Sequence, residues 1–177
     1  MRPAVVLLLV LTAVLPAASA APVHLPGHDR REVEQLAQRY LQHRADKVTA
    51  VAQTAGFGVP TTDRLAAELR TDEARLAARR ERHGDLPHGG YSRADVRTSV
   101  RRLTVDPDGS VVAHVRELTS LYFVKSNAVP HTSFSMSHVL VFQRTRAGWT
   151  LAEATVPPGA QCGIPPETQF CGPASER

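Results

Sequence analysis

Between Asp95 and Val156 apolar residues recur at every second position through four stretches: Asp95 to Val105, Ser110 to Lys125, Thr132 to Arg144 and Trp149 to Val156. That period belongs to strands with one buried face. Asp106-Pro107-Asp108-Gly109 separates the first two, and Thr145 to Gly148 separates the last two. Connections this tight make neighbouring strands antiparallel, so the stretches form a meander. A half-buried sheet needs a cover.

The preceding segments supply it. From Arg30 onward Val33, Leu36, Ala37, Tyr40, Leu41 and Val48 follow three-, four- and seven-residue spacings, which predicts an amphipathic helix running to about Gln53. Gly56, Gly58 and Pro60 then break the pattern. Thr62 offers an N-cap and Asp63 a first-turn acid for a second helix, with Leu65, Leu69 and Leu76 as its apolar line and an end near Gly84. The cations in its last turns (Arg75, Arg79, Arg80, Arg82, His83) suit the negative end of the helix dipole and read as a solvated face. The class is α+β.

Arg2, the apolar run Ala4 to Leu15, Pro16 and the small residues Ala18-Ser19-Ala20 have the three-part pattern of a secretory signal peptide over residues 1–20. A secreted protein, extracellular or associated with the cell envelope, is expected. Residues 21–29, with two Pro and one Gly, read as a flexible tether, residues 30–156 as the folded domain, and 157–177 as a Pro/Gly-rich tail. Cys162 and Cys171 lie in that tail, and in an oxidising compartment they are expected to form one disulfide. The formal charge is +4. An exported protein with that mild excess is more suited to anionic surface polymer than to nucleic acid, and the Arg-rich helix end lacks the interleaved aromatics of a nucleic-acid site.

Val33 to Thr49, Leu121 to Asn127 (LYFVKSN) and above all Ser133 to Glu153 carry a resemblance. Phe134, Ser135, His138, Phe142, Arg144, Gly148 and Trp149 are its most specific residues. The chain resembles the exported NTF2-like, cystatin-like α+β domains found ahead of predicted amidase domains in some bacterial proteins, over about residues 31 to 156. The resemblance implies N-terminal helices on a curved antiparallel sheet, a cone. It covers the accessory part only, without an amidase part, and so brings no catalytic residues with it.

Strand parity places Phe134, Met136, His138, Leu140 and Phe142 on one face. Closing the last turn at Thr145 and Arg146 sets Phe142 opposite Trp149, Leu140 opposite Leu151 and His138 opposite Glu153. Pairing Leu121 and Phe123 with Met136 and Phe134 puts Thr119 beside His138 and Glu117 on the same face. The candidate pocket is thus Thr119, Leu121, Phe123, Phe134, Met136, Leu140 and Trp149 around the polar group His138, Glu153, Glu117 and Thr119. Related folds in isomerase and polyketide cyclase families place an acid or base in the cone, and a His oriented by a carboxylate is suited to that role.

The other reading is structural: His138 and Glu153 satisfy each other's hydrogen bonds, with Glu117 near the sheet rim in water. His114 falls on the outer face, and Tyr91 and Tyr122 have no assigned partner. No P-loop, GxGxxG, GxSxG or HExxH occurs, and the remaining His residues are scattered, so neither cofactor nor metal is expected. The first functional expectation is a non-catalytic binding or accessory module whose partner is an exported protein or a small hydrophobic ligand. No nucleic acid or membrane span is expected, while open strand edges allow a homodimer. The alternative is a small lyase, isomerase or cyclase using His138 with Glu153 or Glu117. Arg-mediated binding of anionic polymer stands third.

Overall fold

A computed structural model describes residues 25 to 126 and 128 to 157. The signal segment, most of the tether, Cys162 and Cys171 lie outside the described residues. Two helices, α1 (Gly27–Asp46) and α2 (Asp63–Gly84), precede four strands: β1 (Tyr91–Val105), β2 (Val111–Phe123), β3 (His131–Thr145) and β4 (Gly148–Thr155). The strands form one sheet in the order β1-β2-β3-β4 with every neighbour antiparallel. The helices cover one face of this meander, as the two periodicities require.

α1 begins at Gly27, inside the segment read as a tether, and ends at Asp46 instead of near Gln53. Two contacts hold its first turns. Asp29 pairs with Arg144 at 2.6 Å, and a Glu32 oxygen accepts the Trp149 backbone N–H at 3.4 Å, so the β3-β4 hairpin anchors the helix start. At the other end the Thr49 hydroxyl donates to the Asp46 carbonyl at 2.8 Å, and the chain then joins β1, with the Ala50 N–H donating to the Tyr91 carbonyl. Val48, Thr49 and Val51 are β-branched residues with reduced helix preference. Val48 stays in the core, but as part of the turn leaving the helix.

α2 starts where the cap predicts, with the Thr62 hydroxyl accepting the Leu65 N–H, and it buries Leu65, Leu69 and Leu76. Lys47, just past α1, is buried and forms an ion pair with Glu73, while Arg80 donates to the Lys47 carbonyl at 3.1 Å. Leu41 and Val33 of α1 and Leu76 of α2 meet Val115, Leu121, Leu140, Phe142 and Leu151 of the sheet in one core.

Both sheet edges are partly occupied by the helical half of the chain. The link between α1 and α2 lies along β4, where the Thr62 N–H donates to the Leu151 carbonyl and the Leu151 N–H to the Pro60 carbonyl. On the β1 edge two glutamines stand in for a strand. The Gln42 amide donates to the Ala94 carbonyl at 2.9 Å and accepts the Val96 N–H at 3.0 Å. One helical turn earlier Gln38 donates to the Val96 carbonyl at 2.8 Å and accepts the Thr98 N–H at 3.0 Å. The edge expected to be open for a homodimer is therefore filled from Ala94 to Thr98. An edge strand carries unpaired donors and acceptors that something must satisfy, and here a side-chain amide on α1 supplies one of each per helical turn.

Gln38→Ala is expected to raise hydrogen exchange at the Thr98 amide and leave the Val96 amide protected, with Gln42→Ala giving the reverse for Val96 and Thr98. Each should lower stability by about 1 kcal/mol in urea unfolding, the usual net worth of a hydrogen bond. Unchanged exchange at both amides would contradict the edge pairing.

Candidate functional site

Inward-facing positions of β2 and β3 alternate as expected: Val115, Glu117, Thr119 and Leu121 on one strand, Phe134, Met136, His138 and Leu140 on the other, all buried. The register differs from the one read off the sequence. Val115 lies opposite His138, Glu117 opposite Met136 and Thr119 opposite Phe134. His138 and Glu117 are diagonal neighbours, and the imidazole Nε2 lies 2.5 Å from Glu117 Oε2. Thr119 donates its hydroxyl to Glu117 Oε1 at 2.5 Å. The polar cluster of His138, Glu117 and Thr119 is thus brought together, but Glu117 is its fully buried centre, not a residue at the wet rim.

Glu153 is absent from the cluster. Val141 faces Glu153 while Phe142 faces Leu151, so Ala152 is one residue more than β3 can match. That bulge shifts the side-chain alternation of β4. Leu151 and Ala152 are both buried and Glu153 turns to the outer face, where it pairs with Arg64 of α2 at 2.5 Å. The hairpin also closes one step later than expected, with Thr145 opposite Gly148 and Arg144 opposite Trp149. Gly148 takes φ 117° there, a backbone region costly for residues with a Cβ.

The place assigned to Glu153 is filled by Arg44. Its Nη2 donates to Glu117 Oε2 at 3.1 Å, with 3% of the Arg44 side chain and none of the Glu117 side chain exposed. Sequence reasoning passed over this residue, although a signal existed. Arg44 lies seven residues after Ala37, four after Tyr40 and three after Leu41, and so falls within the apolar stripe of α1. A cation in that stripe needs a buried partner.

Burial by itself raises the Glu117 pKa, but the Arg44 charge and the hydrogen bonds from His138 and Thr119 outweigh it and bring it to about 2. His138 moves the other way for a His beside a carboxylate. Its burial disfavours the imidazolium more than the Glu117 hydrogen bond favours it, and Arg44 adds to the decrease. The group is therefore a neutral imidazole donating Nε2–H to a carboxylate that Arg44 neutralises. Next to it Tyr40 is pushed up to about 12, chiefly by burial. A cavity of about 40 Å³ borders Tyr40, Arg44, Asp72, His138, Thr155 and Val156. That volume suits one water molecule, whereas sites for small organic ligands are usually several hundred Å³.

The apolar pocket residues Leu121, Phe134, Met136, Leu140 and Trp149 are core, in contact with the helices. Phe123 is half-buried at the sheet end, its ring stacked on Tyr91 at 5.5 Å and 4.8 Å from the His88 ring. Tyr122, on the outer face, lies under the Arg93 guanidinium at 3.5 Å and 5.0 Å from the His131 ring. His28, Asp29 and Glu32 place one potential metal-ligating atom each within 4.8 Å of one another. Asp29 is already committed to Arg144 and Glu32 to Trp149, so these acids act as joints between α1 and the hairpin.

Fold and site together define an α+β domain of two helices on an open four-stranded antiparallel sheet. The fold is similar to that of the crystal structure of the intermembrane space region of the chloroplast protein ARC6, with 15% identity and a TM-score of 0.52, over 74% of this chain and 98% of that one. At that identity the likeness is one of architecture. No family model matches the chain, and no curated protein matches it. Among the described residues no helix is long and apolar enough to cross a membrane.

Stability should fall on acidification in two stages. The folded state keeps His138 neutral, so an unfolded chain that protonates below its ordinary 6.5 gains relative to it as pH drops below that value. Glu117, at about 2 when folded against 4.5, adds stability above pH 4.5 that is lost as pH falls toward 2. Urea midpoints at neutral, mildly acidic and strongly acidic pH read both stages, and His138→Gln should flatten the first. Separately, Glu117→Leu strands the Arg44 charge and should cost about 3 to 5 kcal/mol, with most of it regained in the Arg44→Leu/Glu117→Leu double variant. Additive losses would break the assigned coupling.

Proposed function

We propose that the chain is an exported, non-catalytic binding or accessory module of NTF2-like architecture. Its inner face serves as a structural core, and it engages an exported protein partner through its surface. The observation that carries this reading is the closed polar cluster. Arg44, His138 and Thr119 all bond the Glu117 carboxylate in a buried setting beside a cavity of about 40 Å³, which leaves a substrate little room at the imidazole. A general base must reach the proton it takes, directly or through one water. The NTF2-like part of the reading rests on the helices-then-meander order and on the residues of the Phe134 to Trp149 stretch. The exported part rests on the signal pattern of residues 1–20.

Intact and native mass spectrometry on protein made with its own first twenty residues and recovered from the culture medium tests both halves. The expected result is a denatured mass of residues 21–177 less two hydrogens and a native mass with nothing added. Retention of the first twenty residues inside the cell would overturn export. A small molecule released on denaturation would overturn the closed core and favour the lyase, isomerase or cyclase reading. In that case His138→Gln should abolish turnover, whereas under the proposed reading it leaves folding and partner binding within a few-fold of the parent.

A further inference from the structure

The outer face of the sheet holds a charge imbalance that the fold does not use. Arg93, Arg97 and Arg102 of β1 and Arg116 of β2 are exposed, as is Arg101, the extra residue of the bulge between Val100 and Arg102. The acids on this face are Asp95 and Glu153, and both are committed, Asp95 to Arg93 at 2.6 Å and Glu153 to Arg64 at 2.5 Å. Asp95 also lies within electrostatic reach of Arg97. Among the described residues Arg97, Arg101, Arg102 and Arg116 have no ion pair. Arg116 stands between Ser99 and Ser137 on the neighbouring strands, and Arg97 faces Leu118 one step along. Arg97 and Arg116 are diagonal neighbours, roughly 7 to 8 Å apart at such positions, and Arg102 stands opposite His114, the next outer-face position along β2 from Arg116, with Arg101 bulged out beside it.

Like charges this close on paired strands oppose folding, so the patch is a cost to the isolated domain. On α2, Arg64 and Arg75 have acids beside them and Arg80 bonds the Lys47 carbonyl, while Arg70 and Arg82 are exposed on a helix away from this sheet face. From this arrangement we infer that the outer face of β1 and β2 binds a linear phosphodiester polymer that carries no bases, through Arg97, Arg101, Arg102 and Arg116. Guanidinium groups on a rigid sheet are already spaced, so little ordering is needed on binding, and each fork meets two phosphate oxygens. The Ser99 and Ser137 hydroxyls beside Arg116 supply further donors, which a phosphodiester with its ester oxygens can accept at the same time as the fork.

A polymer fits better than a single small anion because every arginine is exposed and the grip comes from several weak contacts on one chain. A base-free polymer fits better than a nucleic acid because single-strand sites interleave cations with free aromatic rings. Tyr122, the aromatic ring among the described outer-face strand positions, is already covered by Arg93 and next to His131. This inference stands apart from the closed inner cluster, and its failure would leave that reading untouched.

The test is fluorescence anisotropy on the whole mature chain with labelled poly(glycerol phosphate) over a range of salt. Equal-charge single-stranded DNA and polyglutamate serve as competitors. Four phosphate contacts predict a slope of log K against log salt near about −3, by the single-strand relation. Arg97→Gln/Arg116→Gln should weaken binding about tenfold and reduce the slope by about 1.4, while Arg70→Gln/Arg82→Gln on α2 changes neither. The outer-face variant should melt at or above the parent temperature, which separates lost binding from lost folding. Absence of binding by the parent chain overturns the inference, and so do equal losses in the two variants or competition by DNA or polyglutamate as strong as by the phosphate polymer.

Discussion

Glu117 is a carboxylate with no exposed side-chain surface in the middle of a sheet, and its burial sets the terms for much of the rest of the molecule. Removing a charge from water is expensive, and the attraction of a partner repays it only when geometry and hydrogen bonding are good. Arg44, His138 and Thr119 together meet that condition, and they come from α1, β3 and β2. The helix can supply a guanidinium to that one point only if it lies across the sheet at a fixed height and rotation. Apolar packing of Leu41 and Val33 against Phe142 and Leu140 would tolerate small slips, but the ion pair does not.

The same seating of α1 explains how the sheet edge is managed. With Arg44 turned inward, Gln38 and Gln42 fall on the flank of the helix that passes β1, one turn apart, and their amides match the outward N–H and C=O groups of Ala94, Val96 and Thr98. At the far edge the link between the helices does the same for Leu151 with backbone groups. The helical half of the chain therefore covers one face of the sheet and also closes parts of both its sides.

This division leaves the two faces with different characters. Inside, the Glu117 carboxylate is bonded by Arg44, His138 and Thr119, and the space beside them is about 40 Å³. Outside, five arginines of β1 and β2, hydroxyls and half-exposed Leu118 meet solvent on a rigid surface. An enzyme of this architecture would need the first arrangement opened, whereas a binding module can use the second as it stands.

The element order, the α+β class and the inward parity of Glu117, Thr119 and His138 were legible because each depends on local periodicity and turn chemistry. Asp106 to Gly109 specified a hairpin, and Thr62 specified a helix start. Register was not legible, since parity alone fixes which face a residue takes and leaves slips of two or four residues open. The Val115 to His138 pairing differs from the expected one by such a step. The bulge at Ala152 changed parity itself, and with it the place of Glu153, because an extra residue in one strand leaves no mark in a two-residue pattern. Arg44 was visible as a cation in an apolar stripe, but its partner comes from 73 residues away and only packing could name it. Sequence by itself determined the order and kind of the elements and the apolar face of each, because these depend on local periodicity and turn chemistry. Tertiary structure decided which buried polar groups meet, because their distances depend on helix seating, strand register and one bulge that no local interaction controls.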